Sequence, residues 1–565
     1  MTERGTTNVT RVSIVQGEQH LHELHVTEVD GIPTVWAEAP GPLVGGLLIR
    51  VGHVDETLPL RGHSHMLEHL ALYRLDRPGE HSNGQVDATT MLLHSSGSPE
   101  DVSAFLTRAA RQLKEPPMSR LVAEKGVLRA EGSQRRAHAF AELQVWRWGM
   151  QDYGLESAEE LGLEAMTPES ILAWSQRFVS RENAVLWFTG APPAGLRLDL
   201  PDGEHRPAPD PRRTPLPSLP VYFRSGSPMT AFHTVVERRW ESPALANVLR
   251  SRLVDDLRVE RAAAYSPDVA YRPLDGGSAA LMAMSDHVDG RAAEVTDRML
   301  GILAELADPA TMSTPEEIAA HRASSWRNAG AIAALHARVA SSAWDLLHGK
   351  RVQSLEEMRA GLEGLDPEGV RRLAQSAGAT LLAQVPPGIE EPAGWHHAPL
   401  STAGPVYGAG FELRGGSARL VVGAAGVTIH DGSSSVTVHY EDLAAACEWD
   451  DGGRILIGND GARIAVEPTL WRRGSAAVRA VDNAVPRGSL VSLGVRPADS
   501  IPRPTPLAER LARQRDWILA GVVAMVLIGA MYATGLISGA KPLVGAGIGL
   551  LVFTHIYSTR SGPPQ

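Results

Sequence analysis

The chain has 565 residues, 43% hydrophobic and 21% charged, with a formal charge of -11; that length implies about three to four domains, each able to bury a core. The acidic balance excludes a nucleic-acid partner held by phosphate neutralisation, and the single cysteine, Cys447, excludes an intramolecular disulfide framework and suits a reducing compartment. Basic residues are nearly all arginine, with lysine only at 114, 125, 350 and 541, a pattern of GC-rich coding rather than of function.

From the N-terminus, MTERGTTNVTRVSIVQG offers no apolar run of the kind a signal peptide needs. A first segment then reads as strand (VGGLLIRVG, 44–52), helix (GHSHMLEHLALYRL), strand (QVDATTMLLHSS) and helix (SPEDVSAFLTRAARQL). The last helix is the best defined. Ser98 caps it, Pro99 occupies its first turn and Asp101 completes a capping-box-like pair, while Val102, Phe105, Leu106, Ala109, Ala110 and Leu113 make one apolar stripe. A proline-rich connection, 192–220, leads to a second segment of the same order: strand (AFHTVVER), helix (LANVLRSRLVDDLR), strand (GSAALMAMSDH) and helix (RAAEVTDRMLGILAEL). The repetition, at an offset of roughly 185 residues, predicts two homologous α+β domains at 1–195 and 220–390.

After a second proline-rich stretch, 385–405, short alternating runs such as GVTIHD, SSVTVHY, GRILIGND and ARIAVEP predict an antiparallel sheet, with the helix GSAAVRAVDNAV closing the segment. Residues 406–490 thus resemble a small β-rich, pleckstrin-homology-like domain of bacterial membrane-associated proteins. A third proline-rich stretch, 495–510, reads as a semi-extended stalk. It leads to WILAGVVAMVLIGAMYATGLI, 517–537, and PLVGAGIGLLVFTHIY, 542–557, which predict a transmembrane helical hairpin over 517–557. Arg510, Arg513 and Arg515 before the hairpin and Arg560 after it put both its ends, and the soluble domains, on the cytoplasmic side of a bacterial inner membrane.

The chemistry lies in His65-Met66-Leu67-Glu68-His69. On a helix His65 and His69 are one turn apart, so two imidazoles on one face can reach one zinc ion. Glu68 stands at the edge of that face, where it can serve as general base toward a water acidified by the metal. A structural site would close its shell with four protein ligands, whereas a catalytic one keeps three, so a further carboxylate is required. His63 offers an alternative pair across the helix start, and is read instead as a surface or supporting histidine.

HSHMLEHLAL resembles the zinc helix of the insulinase/pitrilysin family of inverted-motif peptidases, and four further stretches follow in the family's order. VAEKGVLRAE carries Glu124 and Glu131; the resemblance implies Glu131 as third zinc ligand and Glu124 as its support. NGQVDATTMLLHSSG resembles the family's Gly-Gly-x-x-Asn-Ala-x-Thr edge strand, which implies substrate pairing at Asp87, Ala88 and Thr89. YGLESAEELGLEAMTPESILAWSQRFVSRENAVLWFTG resembles the region closing the first domain. SRLVDDLRVERAAAYS matches the pattern in which an arginine and a tyrosine contact substrate, giving Arg258 and Tyr265. Two departures stand out. The connection between Leu70 and Val86 is short, and Asp87 replaces the family's Asn, so it cannot donate an amide hydrogen bond to a substrate carbonyl.

The resemblance implies a zinc metalloendopeptidase of the half-length bacterial type. It would act on peptides or unfolded segments, such as a leader sequence, inside a homodimeric chamber or a heterodimer with an inactive relative. The alternatives are a non-catalytic scaffold, or an adapter working through residues 406–490 at the membrane.

Overall fold

The computed structural model describes residues 23–75, 81–134, 140–329, 332–392 and 394–504. The first half contains β1 (His25–Val29), β2 (Ile32–Trp36), β3 (Leu43–Ile49), α1 (His63–Leu72), β4 (His81–Val86), β5 (Met91–Gly97), α2 (Pro99–Lys114), α3 (Leu121–Gln134), α4 (Ala141–Trp148), α5 (Pro168–Phe178) and β6 (Ala184–Phe188). Its strands form one sheet in the order β1-β2-β6-β3-β5-β4. The central strands LVGGLLI and AVLWF are apolar on both faces, as strands covered on both sides must be. One face packs against α1, α2, α3 and α5 through a core that includes Met66, Leu67, Leu70, Phe105, Leu106 and Phe178. The α2 stripe from Val102 to Leu113 is buried, and the Ser98 hydroxyl accepts the Asp101 amide, as its sequence predicts.

The second half repeats the plan: β7 (Val221–Arg224), β8 (Thr230–Glu237), α6 (Glu241–Leu253), β9 (Asp268–Pro273), β10 (Ser278–Ser285), α7 (Ala292–Ala307), α8 (Pro315–Ala329), α9 (Ile332–Leu347), α10 (Leu355–Glu363), α11 (Pro367–Ala379), β11 (Leu382–Val385) and β12 (His396–His397). Its sheet runs β12-β7-β11-β8-β10-β9. Five strands correspond in order and direction: β2, β6, β3, β5 and β4 match β7, β11, β8, β10 and β9, the first pair parallel and the others antiparallel in each sheet. The sixth strand differs. β1 lies antiparallel to β2, while β12 lies parallel to β7.

The outer faces of the two sheets are covered reciprocally. Leu335, Val339, Ala343 and Leu347 of α9, in the second half, pack on Val35, Leu48, Val185 and Trp187 of the first sheet. In return Leu143 of α4 packs on Val221, Phe223, Ala231 and Leu382 of the second sheet, where Trp146 stacks on Phe223 at 4.7 Å between ring centroids. Burial of such side chains is worth about 1.5–3 kcal/mol each, so the two halves hold each other by their cores rather than by their rims.

The last part comprises β13 (Gly408–Glu412), β14 (Arg419–Gly423), β15 (Gly426–Asp431), β16 (Ser434–His439), β17 (Leu443–Trp449), β18 (Arg454–Gly458), β19 (Arg463–Val466), α12 (Gly474–Asp482) and β20 (Leu490–Gly494). They make two four-stranded sheets, β13-β14-β15-β16 and β19-β18-β17-β20. Leu420, Val427 and Val438 of one meet Leu456, Ile464 and Val466 of the other, with Ala477, Val478 and Val481 of α12 against both.

Two expectations change. Residues 85–96 are not one strand, because the carbonyls of Asp87 and Ala88 accept the amides of His53 and Val54 and bend the chain between β4 and β5. The helix α12 does not close the β-rich module, since β20 follows it and pairs parallel with β17. The apolar runs at 517–537 and 542–557 lie outside the described residues, among which no helix is long and apolar enough to cross a membrane.

Candidate metal centre

The helix α1 sorts its residues by face. Met66, Leu67, Leu70 and Ala71 are wholly buried in the core, which leaves His65, Glu68, His69 and Leu72, at the spacing of one helical stripe, on the opposite side. Its start is fixed by Glu56, a buried carboxylate paired with Arg61 at 2.9 Å, which accepts the Gly62 amide at 3.1 Å and the Ser64 amide at 2.8 Å. Gly62 has φ 103°, a left-handed conformation that favours glycine.

The two motif histidines meet nearly edge to face, with ring centroids 4.8 Å apart. Their Nε2 atoms both point at Glu131 of α3, each 3.7 Å from its Oε2. Glu68 Oε2 lies 4.0 Å from His65 Nε2 and 3.8 Å from His69 Nε2. Burial pushes the Glu68 carboxyl above its ordinary range, opposed by the neighbouring His69 and His65 and reinforced by the negative charge of Glu131.

Each histidine is held from behind. His65 Nδ1 lies 2.8 Å from Glu160 Oε1, and His69 Nδ1 lies 3.4 Å from Glu124 Oε2. Glu124 in turn accepts from Arg120 at 3.0 Å. A carboxylate on Nδ1–H selects the tautomer whose Nε2 lone pair faces a metal. Glu124 thus contacts His69 rather than Glu131. Glu160 was not singled out: it is one of four glutamates between 156 and 164 in an irregular connection, and only a contact across 95 residues distinguishes it.

His63 is neither exposed nor close to the metal-facing atoms. It is buried, with Nδ1 2.8 Å from the Leu60 carbonyl and Nε2 3.1 Å from Ser170 Oγ, and it fastens the start of α1 to α5.

Asp87, Ala88 and Thr89 occupy the bend after β4 rather than an edge strand. Ala88 and Thr89 are buried; the Thr89 carbonyl accepts from Arg50 at 2.8 Å and its hydroxyl meets His348 Nε2 at 3.1 Å. Burial raises the Asp87 carboxyl, with Arg272 of β9 pulling it down. The open edge of the first sheet is β4 itself, which passes directly beside Glu68 at Gly84.

Arg258 lies in a π-helical stretch, Val254–Glu260, that continues α6, and its guanidinium sits 5.1 Å from the centroid of the exposed Tyr265 ring. Among the described residues no hydrogen bond, ion pair or ring contact joins this pair to His65, Glu68, His69 or Glu131.

No protein-family model and no curated protein matches the sequence. In three dimensions the chain is similar to a protease from Helicobacter pylori (TM-score 0.51, 14% identity, 65% of this chain and 100% of that one). It is also similar to an inactive M16 peptidase domain from Pseudomonas fluorescens (TM-score 0.50, 16% identity, 65% of this chain and 100% of that one). Pitrilysin is matched with TM-score 0.52 and 12% identity over 66% of this chain and 46% of that one. The chain has the mixed α/β fold of M16, pitrilysin-like peptidases.

Proposed function

We propose that this chain is a zinc metallopeptidase in which His65, His69 and Glu131 hold the metal and Glu68 moves the proton. One observation carries the reading: Glu131 Oε2 is 3.7 Å from both histidine Nε2 atoms. Two imidazoles and a carboxylate are a donor set that zinc takes, with ligand atoms about 3.3 Å apart in an ideal tetrahedron, so a contraction of a few tenths of an ångström accommodates the ion. Bound there, zinc supplies the Lewis acidity that acidifies water and polarises a carbonyl.

Glu68 takes the proton of the attacking water and returns it to the departing amine. Its burial beside the two imidazoles keeps bulk water from competing for that proton. An extended peptide adds to the β4 edge by main-chain hydrogen bonds, which brings its scissile bond past Glu68. Arg258 and Tyr265 belong to this reading as substrate contacts from the second half, supported by the exposure of the Tyr265 ring.

The wider assignment is part of the same proposal. A chain matching the whole of the Helicobacter pylori protease but under half of pitrilysin fits a half-length peptidase that closes its chamber as a homodimer, or as a heterodimer with an inactive relative. Peptides or unfolded segments, such as leader sequences, are the substrates such a chamber admits. The division into domains at 1–195, 220–390 and 406–490 is supported by two sheets of matching strand order and a separate β-rich core. Four antiparallel strands, three more and then α12 support a pleckstrin-homology-like module at 406–490. The apolar runs at 517–537 and 542–557, with their flanking arginines, support a membrane tether with the soluble part on the cytoplasmic side.

A non-catalytic scaffold is the second reading, favoured by the likeness to an inactive M16 domain. Metal analysis and peptide hydrolysis of the parent chain and of Glu68→Gln decide between them. The expected result is zinc in both and a loss of about 10²–10⁴-fold in hydrolysis for the variant. Hydrolysis that persists in Glu68→Gln overturns the mechanism, and a parent chain that binds zinc but cleaves nothing supports the scaffold.

A further inference from the structure

The connection between α4 and α5 is a junction of three parts of the molecule. Arg61, wholly buried, holds it to the metal-binding half through the Leu155 carbonyl at 2.9 Å. Tyr153 and Glu156 hold it to the second half, through the Leu274 carbonyl at 3.2 Å and an ion pair with Arg272. The β-rich module holds it from the third side.

That third contact is a packed core. Met150, Leu155 and Ala158 are buried together with Ala445, Cys447 and Ile457 of the module, and Leu161 packs against the same cluster. The Met150 amide donates to the Asn459 carbonyl at 3.0 Å. Gly149 has φ 73°, and a β-carbon there would lie 1.8 Å from the Asn459 oxygen, so only glycine permits the approach. Glu160 therefore stands between two residues, Ala158 and Leu161, that face the module, while its own carboxylate faces His65 at 2.8 Å.

We infer that the β-rich module sets the metal affinity of the centre by holding Glu160, a positioning residue, against His65. The inference rests on the proposed zinc site and adds to it a role for a part of the chain that contributes no ligand. A carboxylate on the distal ring nitrogen fixes the imidazole and raises its basicity, and loss of such a partner costs about 10–100-fold in metal affinity.

The test is a double-mutant cycle on the full chain, read as zinc affinity by chelator competition and as the visible spectrum of the cobalt(II)-loaded protein. Glu160→Ala should bind zinc about 10–100-fold more weakly, and Glu160→Gln, which keeps the acceptor oxygen, should recover most of the loss. Ile457→Ser, and from the other side Met150→Ala, should each weaken zinc binding several-fold in the parent and have no further effect in the Glu160→Ala background. Circular dichroism identifies any variant that has unfolded, and the other side of the contact then supplies the cycle. Unchanged affinity in Glu160→Ala, or module variants whose effects simply add to it, overturns the inference while leaving the zinc site intact. A parent chain that binds no zinc overturns both.

Discussion

A methyl group on the α-carbon of Gly84 would lie 2.0 Å from Oε1 of Glu68 and 2.8 Å from Cδ1 of Leu72. The edge strand β4 can run beside the Glu68 carboxylate only because this position has no side chain. Glu68 is buried and cannot swing into solvent without leaving the two imidazoles. Gly84→Ala is expected to displace the carboxylate by about an ångström and lower kcat/KM on a peptide by about 10²-fold. Zinc content and thermal stability should change little. Equal loss of metal and activity would show that Gly84 serves the fold rather than the placement of Glu68.

The carboxylates around the centre should rank by what they touch. Glu131→Gln removes the negative charge that both Nε2 atoms face, and zinc affinity should fall by more than the roughly 10–100-fold that losing an outer partner costs. Glu124→Gln leaves Glu131 in place and disturbs only the contacts to His69 Nδ1 and Arg120, so its loss should be the smaller. Competition with a chelator of known affinity measures both, and the reverse order would exclude Glu131 as a ligand.

Acid should loosen the contact between the halves at His348. Burial, with the positive charges of Arg50, Arg238 and His205, lowers this imidazole to about 4, against a hydrogen bond to the Trp344 carbonyl that raises it. The ring is neutral in the folded protein and meets Thr89 across the interface. As the unfolded chain takes up the proton near the ordinary histidine value of about 6.5, the stabilisation is complete above that pH. It is lost as pH falls toward 4, and its full size is on the order of 3 kcal/mol. Urea unfolding of the parent and of His348→Gln at several pH values between these limits should show a steeper loss in the parent.

Gly149→Ala should undock the β-rich module. The substitution meets both a backbone conformation that side chains rarely adopt and the Asn459 carbonyl. Hydrogen exchange should rise at 149–163 and along β17 and β18, with the α2 core protected as before. Uniform loss of protection would mean global unfolding.

Much of this architecture was legible in short-range pattern. α2 shows its stripe and its cap, α1 separates core residues from histidines by helical spacing, and the second segment repeats the first. What escaped depends on contacts between distant residues. No local signal marks the bend at Asp87, which is imposed by amides of His53 and Val54. Glu160 is indistinguishable in sequence from Glu156, Glu159 and Glu164, and becomes particular only through His65. The strand β20 is short and half exposed, and its pairing with β17 spans a helix that reads as an ending.

The helices α4 and α9 are encoded in one half and buried in the other, so the halves are held together by packing as well as by the chain running through 192–220. A protease nick there should leave two fragments that migrate as one particle and separate only under denaturing conditions. Either fragment made alone would display a bare hydrophobic sheet, Val35, Leu48, Val185 and Trp187 on the first or Val221, Phe223, Ala231 and Leu382 on the second, and would aggregate.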